Sequence, residues 1–342
     1  GTVVAFSILD LSPIVSGSNA TQALRDTVAL AQHAESLAAA RVWLAEHHNA
    51  GMLASAAPEI LIAHVASATR RIRVGAGGVM LPNHSALRVA EQFRLLSALY
   101  PGRIDLGLGR AAGTDPRTAR LLRRGAELHP DEFDAQFNEL LGYLEAGPAP
   151  RAERPTSIIA IPTGVESPEL FLLGSSDYGA RLAAERGLGF AFAHHMNPSE
   201  AAHELQRYRA NFRPSRFRAN PWAIASVNVV AAATDAQAEE LAASGRLALV
   251  RMAQGQRDLP FPSPAEVRQH TFDEEEEAVL AAYAGAAIVG GPDRVRAALF
   301  KLVEETAADE LLVMTQVHDQ AARRASYTLV AELLAAGASQ PA

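Results

Sequence analysis

Short apolar runs that alternate with longer amphipathic segments are the feature that most restricts the fold of this 342-residue chain. Several runs are continuously apolar, as expected for parallel strands that are covered by helices. Eight such strands, separated by helices, match the count of a (β/α)8 TIM barrel, the fold class that we predict, with an open doubly wound sheet as the alternative. The predicted strands are Val4–Leu9, Val42–Ala45, Ile72–Leu81, Ile104–Leu108, Leu170–Leu173, Gly189–Ala193, Ala223–Val230 and Glu310–Met314.

No linker rich in proline, glycine or serine divides the chain, so we predict one domain over residues 1–342. Two stretches, about 113–169 and 254–291, exceed an ordinary strand-to-helix connection and are interpreted as insertions at the carboxyl-terminal mouth of the barrel. The first is predicted to contain an extra helix, Asp131–Leu144, and the second carries the acidic run Asp273–Glu277. Such excursions are often lids or binding loops, and solvated surface insertions are the alternative.

Composition excludes several functional classes. Lys and Arg total 31 against 38 Asp and Glu, and the resulting net charge of −7 disfavours nucleic-acid binding. Without cysteine, the chain has no disulfides, thiolate metal ligands or cysteine nucleophile. The amino-terminal segment lacks the basic start of a secretory signal, and the longest uncharged apolar-leaning run, Ala278–Gly291, is too short for a membrane span. We therefore expect a cytoplasmic protein with no membrane partner.

Polar side chains gather directly after the second predicted strand. The run Glu46–Asn49 lies where a barrel has its carboxyl-terminal mouth, which is where active sites of this fold are found. Successive strand residues point to opposite faces, so His47 and His48 cannot both face one metal ion without a twist, and no metal site is expected. A second pair, His194 and His195, ends another strand at the same mouth. The two pairs suggest one pocket lined by imidazoles from two strands.

Two further strand exits indicate a phosphate site. The glycine-lined segment 107–113 carries Arg110 and formally fits the dinucleotide fingerprint, but Glu127 lies in a charged helical segment instead of ending a second strand. Gly174, Ser175 and Ser176 precede a helix, where backbone N–H groups and hydroxyls can bind an anion. Together with Arg110 they would hold one monophosphate. The alternatives are a surface salt bridge for the arginine and helix capping by the serines.

Two adjacent glycines, Gly77 and Gly78, interrupt an otherwise apolar third strand. Glycine weakens a strand interior, so the pair requires an explanation. The simplest is a bulge or close packing of a helix. The functional explanation is that a planar ring approaches the backbone where side chains would block it.

Three segments resemble the bacterial luciferase-like flavin monooxygenase family. They are EHHN, IRVGAGGVMLPNHSALRVAEQFRLLSALYPGRIDLGLGRA and LLGSSDYGARLAAERGLGFAFAHH. The resemblance covers nearly the whole chain and is nearest to the single-subunit, alkanal monooxygenase-like branch. It implies a TIM barrel that binds reduced FMN, or in some branches a deazaflavin, at the carboxyl-terminal mouth. It also implies a separate flavin reductase and a homodimer formed through the helices Pro58–Thr69 and Ser85–Tyr100.

The resemblance assigns roles to the candidate catalytic residues. His47 matches the family's catalytic histidine and His48 its neighbour. An imidazole suits proton transfer near neutral pH, so we assign His47 as the base and His48 or Glu46 as its orienter. His194 and His195 would line the substrate pocket.

The same resemblance assigns the cofactor-binding residues. Arg110 and the pair Ser175–Ser176, preceded by Gly174, match the ligands of the flavin phosphate. The peptide bond between Gly77 and Gly78 is predicted to be cis and to pack beneath the flavin ring. Asp115 lies near an acidic residue that the family places beside the flavin.

Two positions depart from the family pattern. Gly109 stands where true luciferases carry a reactive cysteine, and His195 stands where close relatives more often carry an aromatic residue. The stretch 255–287 matches the family's mobile lid in position only, so the organic substrate is not carried over. The predicted function is oxidation of a small organic substrate by reduced FMN and oxygen. The alternatives are a deazaflavin-dependent dehydrogenase and a non-catalytic flavin-binding protein.

Overall fold

The strands of the computed structural model, which describes residues 3–127, 129–145 and 158–338, are all parallel. They are β1 (Ala5–Asp10), β2 (Arg41–Leu44), β3 (Arg73–Met80), β4 (Ile104–Gly109), β5 (Glu169–Gly174), β6 (Gly189–Ala193), β7 (Ala223–Ala231), β8 (Ala287–Gly290) and β9 (Glu310–Met314). Strands β1 to β7 pair in chain order, β7 pairs with β9, and β9 returns to β1. Eight strands therefore close a barrel, and the predicted TIM-barrel fold is confirmed.

Helices surround the barrel. They are α1 (Ala20–Ser36), α2 (Pro58–Ser67), α3 (Ala86–Leu99), α4 (Pro116–Leu122), α5 (Pro130–Glu145), α6 (Asp177–Arg186), α7 (Ala201–Asn211), α8 (Asp235–Ala253), α9 (Pro264–Gln269), α10 (Glu274–Ala282), α11 (Pro292–Thr306) and α12 (Gln320–Ala338). Several helices begin at a residue whose side chain caps the first turn. Asn19, Ser85 and Thr234 are such N-caps, and each accepts a hydrogen bond from a backbone N–H of the helix that follows. None of the helices described here is long and apolar enough to cross a bilayer.

The two long excursions carry helices of their own. The first contains α4 and α5, and α5 is the extra helix predicted from the sequence. Residues 146–157 of this stretch lie outside the described residues, as do residues 1, 2, 128 and 339–342 of the predicted domain. The second contains α9, α10 and the strand β8, which the sequence analysis missed. Strand β8 pairs only with the last four residues of β7, Asn228–Ala231, and only one of its own four residues is buried. Its apolar pattern is too short to distinguish it from the preceding helix.

Two apolar layers hold the barrel together. The larger lies between the strands and the helices, and a smaller one fills the barrel around Trp43 and Phe171, whose rings meet edge to face at 4.9 Å. Below it, at the amino-terminal ends of the strands, the buried Arg41 bonds Asp105 and Glu310, each at 2.8 Å. This packed interior leaves the carboxyl-terminal mouth as the end where loops and polar side chains converge.

Candidate functional site

Glu46 is the hydrogen-bonding centre of the loop that follows β2. Its side chain is 1% exposed, and its carboxylate accepts bonds from Met80 N (3.0 Å), Asn83 Nδ2 (2.8 Å), His84 Nε2 (2.6 Å) and His48 Nε2 (2.7 Å). Burial alone would raise the pKa of Glu46, but the hydrogen bonds from His84, Asn83 and His48 and the charge of His84 outweigh it and hold that pKa below its usual value. Glu46 is therefore an ionised anchor that joins the loop after β2 to the end of β3.

His47 is separate from this network. The backbone N–H of His47 bonds Ser55 O at 3.0 Å, while its Nδ1 is buried and has no hydrogen-bond partner in the described part of the chain. The expected contact between His47 and an orienting His48 or Glu46 side chain is not formed, because His48 turns to Glu46 instead. Alternating side-chain directions along an extended segment account for this separation.

The second histidine pair lies across the mouth from the first. Strands β2 and β6 are four positions apart in an eight-stranded barrel, so the residues after them face each other. Burial lowers the pKa of His47, and the charges of His48 and His195 lower it further against the opposing charge of Glu46. His195 Nδ1 lies 3.3 Å from Ser226 O, and burial lowers the pKa values of His194 and His195 as well. These surroundings thus favour the neutral form of His47, His194 and His195.

Several buried polar atoms near the mouth have no partner among the described residues. They include Nδ1 of His47, Nδ1 of His194 and Oδ1 of Asn228, which lie after β2, after β6 and on β7. A buried polar group without a hydrogen bond is costly, so such groups usually mark a place that a ligand or water completes. These atoms fit a ligand with several hydrogen-bonding positions, as a flavin ring has.

Gly77 and Gly78 are joined by a cis peptide bond, as predicted. Their surroundings also show why both are glycine. A Cβ at Gly77 would lie 2.7 Å from the Trp43 ring, and one at Gly78 would lie 2.7 Å from both Gly107 O and Leu173 Cδ1. Close packing inside the barrel is therefore sufficient to explain the pair, whether or not a planar ring approaches it.

Arg110 lies at the exposed end of β4, beside the first turn of α6. Its guanidinium carbon is 3.9 Å from the centre of the Tyr178 ring, and Arg110 forms no ion pair with any residue described. The Tyr178 hydroxyl donates to Asp134, and burial together with that carboxylate raises the pKa of Tyr178 to about 12. Among the described residues Arg110 therefore stacks on an aromatic ring and does not form the surface salt bridge that was the alternative interpretation.

The amino terminus of α6 lacks the cap that its sequence could supply. Ser176 occupies the N-cap position without a side-chain cap bond, and Ser175 offers only its carbonyl, to Asn197 Nδ2 at 2.9 Å. Since no hydrogen bond to either hydroxyl is formed within the described residues, both remain available to a ligand. Gly174 is less constrained, because a Cβ there would make only ordinary contacts of 3.5 Å.

Asp115 ties the loop after β4 to the loop after β2. It caps α4 through Thr118 N at 3.0 Å and accepts a bond from Asn49 Nδ2 at 3.0 Å. These bonds, the one from Asn49 first, hold the pKa of Asp115 far below its usual range. Asp115 thereby shapes the mouth, and it faces Arg257 of the second insertion at 3.9 Å.

Sequence reasoning missed Asn83, His84 and Asn228. The first two follow β3 and the third lies on β7 near its end. Polar residues at the carboxyl-terminal ends of barrel strands lie at the mouth, and this rule, which located Glu46–Asn49, applies to them as well. Among the described residues no group of three or more His, Asp or Glu side chains is arranged to hold a metal ion.

Two cavities in the described part of the molecule lie away from the mouth. One of about 480 Å³ opens at the amino-terminal ends of the strands beside Arg73 and Glu169. The other, of about 360 Å³, lies outside the barrel and is lined in part by His84. The assignment of the site to the mouth therefore rests on its chemistry.

The neutral histidines predict a pH dependence of stability. Because the folded protein lowers the pKa of His47 below its usual 6.5, the unfolded chain binds more protons as the pH falls through 6.5 toward the lowered value. The free energy of unfolding should therefore decrease in that window and be highest above it. We expect urea midpoints between about pH 7.5 and 5 to fall less steeply for His47→Asn than for the wild type, with exposed His64→Asn as the control. Equal slopes for wild type and His47→Asn would contradict this.

The fold and its polar carboxyl-terminal mouth place the chain among the TIM-barrel enzymes. Within that class it belongs to the luciferase-like monooxygenase family, whose model matches residues 4–310. It is 41% identical to a luciferase-like monooxygenase of Escherichia coli (strain K12), over 96% of this chain and 97% of that protein. It is 33% identical to an N-acetyl-S-alkylcysteine monooxygenase of Bacillus subtilis (strain 168), over 98% and 99%. The crystal structure of apo-MsnO8 superposes with a TM-score of 0.89 at 37% identity, covering 97% of this chain and 98% of that one.

Proposed function

We propose that the protein is a monooxygenase that uses reduced FMN and molecular oxygen to oxidise a small organic molecule. The observation that carries the proposal is Arg110, held on the Tyr178 ring beside the uncapped amino terminus of α6. A guanidinium, two hydroxyls and backbone N–H groups together suit a phosphate monoester. Membership of the luciferase-like family supports the same choice of cofactor.

The chain's own residues have distinct tasks in this proposal. Bound reduced FMN would supply the electrons that activate oxygen. Arg110, Ser175 and Ser176 hold the phosphate, and His47, neutral at physiological pH, accepts a proton at the buried Nδ1 that has no partner among the described residues.

Water must be kept from the reacting groups. The segment before α9 is fastened to the loop after β1: Phe261 N donates to Ile14 O and Ser16 N donates to Phe261 O, both at 2.8 Å. Gly51 N also donates to Arg257 O. These contacts suit a cover that excludes water from the mouth, which we assign to the second insertion.

Oxygen uptake tests the proposed function. Purified protein is mixed with chemically reduced FMN, oxygen and a panel of aldehydes, alkanes, sulfonates and ring compounds. A thioether such as N-acetyl-S-alkylcysteine, for which the Bacillus subtilis relative is named, belongs in the panel. Substrate-dependent formation of an oxygenated product supports the proposal. Turnover with a reduced deazaflavin and no oxygen would identify a dehydrogenase instead, and flavin binding without turnover would indicate a binding protein.

Removal of the Arg110 side chain is expected to weaken FMN binding more than riboflavin binding. A charge-assisted contact to phosphate contributes about 1.5–3 kcal/mol, which corresponds to roughly 10- to 150-fold in affinity. Titration of Arg110→Ala with both ligands measures the difference. The control is Arg124→Ala, an exposed arginine that lines the cavity outside the barrel and lies away from the mouth. Equal losses for FMN and riboflavin would show that Arg110 does not contact the phosphate.

We further propose a homodimer, as the single-subunit branch of the family implies, formed through α2 and α3. These helices expose large apolar side chains to solvent: Ile60 on α2, and Leu95 and Leu99 on α3. Burying a leucine contributes about 1.5–3 kcal/mol, so replacing both Leu95 and Leu99 should remove several kcal/mol from the free energy of dimerisation. A separate flavin reductase remains the proposed source of reduced FMN.

The double substitution Leu95→Lys/Leu99→Lys is expected to weaken dimerisation by more than about 100-fold, because charged side chains would have to be buried. Sedimentation over a range of protein concentrations measures it. Leu121→Lys, which changes an exposed leucine of α4, is the control and should leave the dimer intact. A wild type that sediments as a monomer at every concentration would overturn the proposed interface.

A further inference from the structure

Glu46 joins two imidazoles that belong to different parts of the surface. His48 Nε2 donates to Oε2 at 2.7 Å, and His84 Nε2 donates to Oε1 at 2.6 Å. Met80 N and Asn83 Nδ2 occupy the remaining positions of the carboxylate, which has about four acceptor sites. Glu46 therefore has no free lone pair with which to take a proton from a substrate, and it acts only through the residues that it holds.

The two histidines open in different directions. His48 follows His47 at the mouth and is 18% exposed, whereas His84 is 29% exposed and lines the cavity of about 360 Å³ outside the barrel. Both rings use Nε2 to bond Glu46. Within the described residues neither Nδ1 forms a hydrogen bond, so each ring has one nitrogen free to exchange a proton with its own side.

We propose that His48, Glu46 and His84 form a proton-exchange unit that links the mouth to the outer cavity. A proton accepted by His48 at Nδ1 from the mouth is matched by the loss of a proton from Nδ1 of His84 to water in the cavity. Both Nε2–H bonds to Glu46 stay in place, Glu46 remains a carboxylate, and the unit gains one proton and releases one. This inference rests on the proposed function, which requires proton movement at the mouth.

The exchange follows from the charges around the two rings. One buried carboxylate stabilises one imidazolium well, but a second imidazolium beside it meets like-charge repulsion. Burial lowers the pKa of His84, but the hydrogen bond and charge of Glu46 and the charge of Glu59 outweigh it and raise that pKa, which favours His84 as the ring that holds the proton.

Other charged groups near the unit do not change this balance. In the outer cavity Arg123 is paired with Glu132 at 2.8 Å, and Arg124 lines the same wall. On the mouth side the adjacent residue His47 has a pKa that burial lowers, which disfavours a positive charge there. The shared carboxylate is thus the group through which protonation of one ring affects the other.

Such a unit serves a reaction that must be closed to water. When a cover seals the mouth, protons cannot leave by the route that the substrate took. The outer cavity lies beyond the loop after β3 and is open to solvent independently of the second insertion. His84 can therefore release one proton to the outer cavity when His48 takes one up, while the mouth stays closed.

Histidine NMR of the protein without cofactor tests the coupling directly. Ring signals are assigned by their loss in His48→Gln and His84→Gln. In the wild type we expect the His48 ring signal to respond as His84 titrates, and in His84→Gln that response should disappear. Identical His48 titration curves in the wild type and His84→Gln would overturn the proposal. This measurement needs no turnover, so it decides the coupling even if the proposed function fails.

Turnover with reduced FMN tests the use of the exchange. His84→Gln keeps a donor to Glu46 but cannot carry a proton, so we expect turnover to fall at least tenfold while FMN affinity stays unchanged. Free imidazole fits the outer cavity, so adding it should restore turnover. His64→Gln, an exposed histidine of α2, is the control. If His84→Gln turns over as fast as the wild type, the proposed proton exchange is overturned. If the wild type shows no turnover, the proposed function is overturned instead.

Discussion

Substitution of His47 by glutamine is expected to lower substrate oxidation by about 10²–10⁴-fold, the usual contribution of a general base. The buried Nδ1 of His47, like that of His194, has no partner in the described chain, and the lowered pKa of His47 favours the neutral form that can accept a proton. Glutamine retains polarity and similar reach but has no titratable nitrogen. Steady-state rates with reduced FMN measure the loss, and FMN titration shows whether binding is retained.

The pH profile separates a base from a structural histidine. Wild-type kcat should decrease as the pH falls below 6.5 and His47 becomes protonated, and His47→Gln should lack that limb. His33→Gln, which alters a histidine on α1 that contacts Thr328 on the outer helices, is the matched control. An unchanged rate and pH profile in His47→Gln would show that the base lies elsewhere at the mouth.

The barrel was predictable because its strands are buried on both faces. Continuous apolar runs followed by amphipathic helices leave few other architectures, and all eight predicted strands are present within one or two residues. Strand β8 was not predictable in the same way, because four residues with one buried position carry no periodic signal.

The position of the site was predictable from the fold, but the contacts within it were not. Strand exits place His47 and His195 at one mouth, and the resemblance gave the cis bond after Gly77. The partnership of Glu46 with His84 joins residues 38 apart, and the stacking of Arg110 on Tyr178 joins residues of different strand exits. Such contacts depend on side-chain directions in three dimensions, which sequence spacing does not specify.

Removal of Arg41 is expected to have the largest effect on stability. Its guanidinium is buried between Asp105 and Glu310, bonding each at 2.8 Å, and lies 4.9 Å from the centre of the Phe171 ring. Arg41→Met fills similar space but leaves two buried carboxylates without their shared cation. Breaking a buried ion pair in this way costs about 3–5 kcal/mol.

Urea denaturation measures this loss as a lower midpoint at an unchanged slope. Other donors remain in the variant and could compensate for the lost guanidinium. Asp105 keeps the bonds from Trp43 Nε1 at 3.0 Å and Arg73 Nε at 2.9 Å, and Glu310 keeps the bond from Trp222 Nε1 at 2.6 Å. If those donors sufficed, Arg41→Met would lose less than about 1 kcal/mol, no more than an ordinary surface substitution such as the control Arg70→Met. We expect the loss of about 3–5 kcal/mol, because the indole donors carry no charge. Of the two carboxylates, Arg73 bonds Asp105 but not Glu310. The floor of the barrel then depends on Arg41 because its guanidinium bonds both Asp105 and Glu310. The mouth at the opposite end is built on the strands that Arg41 joins.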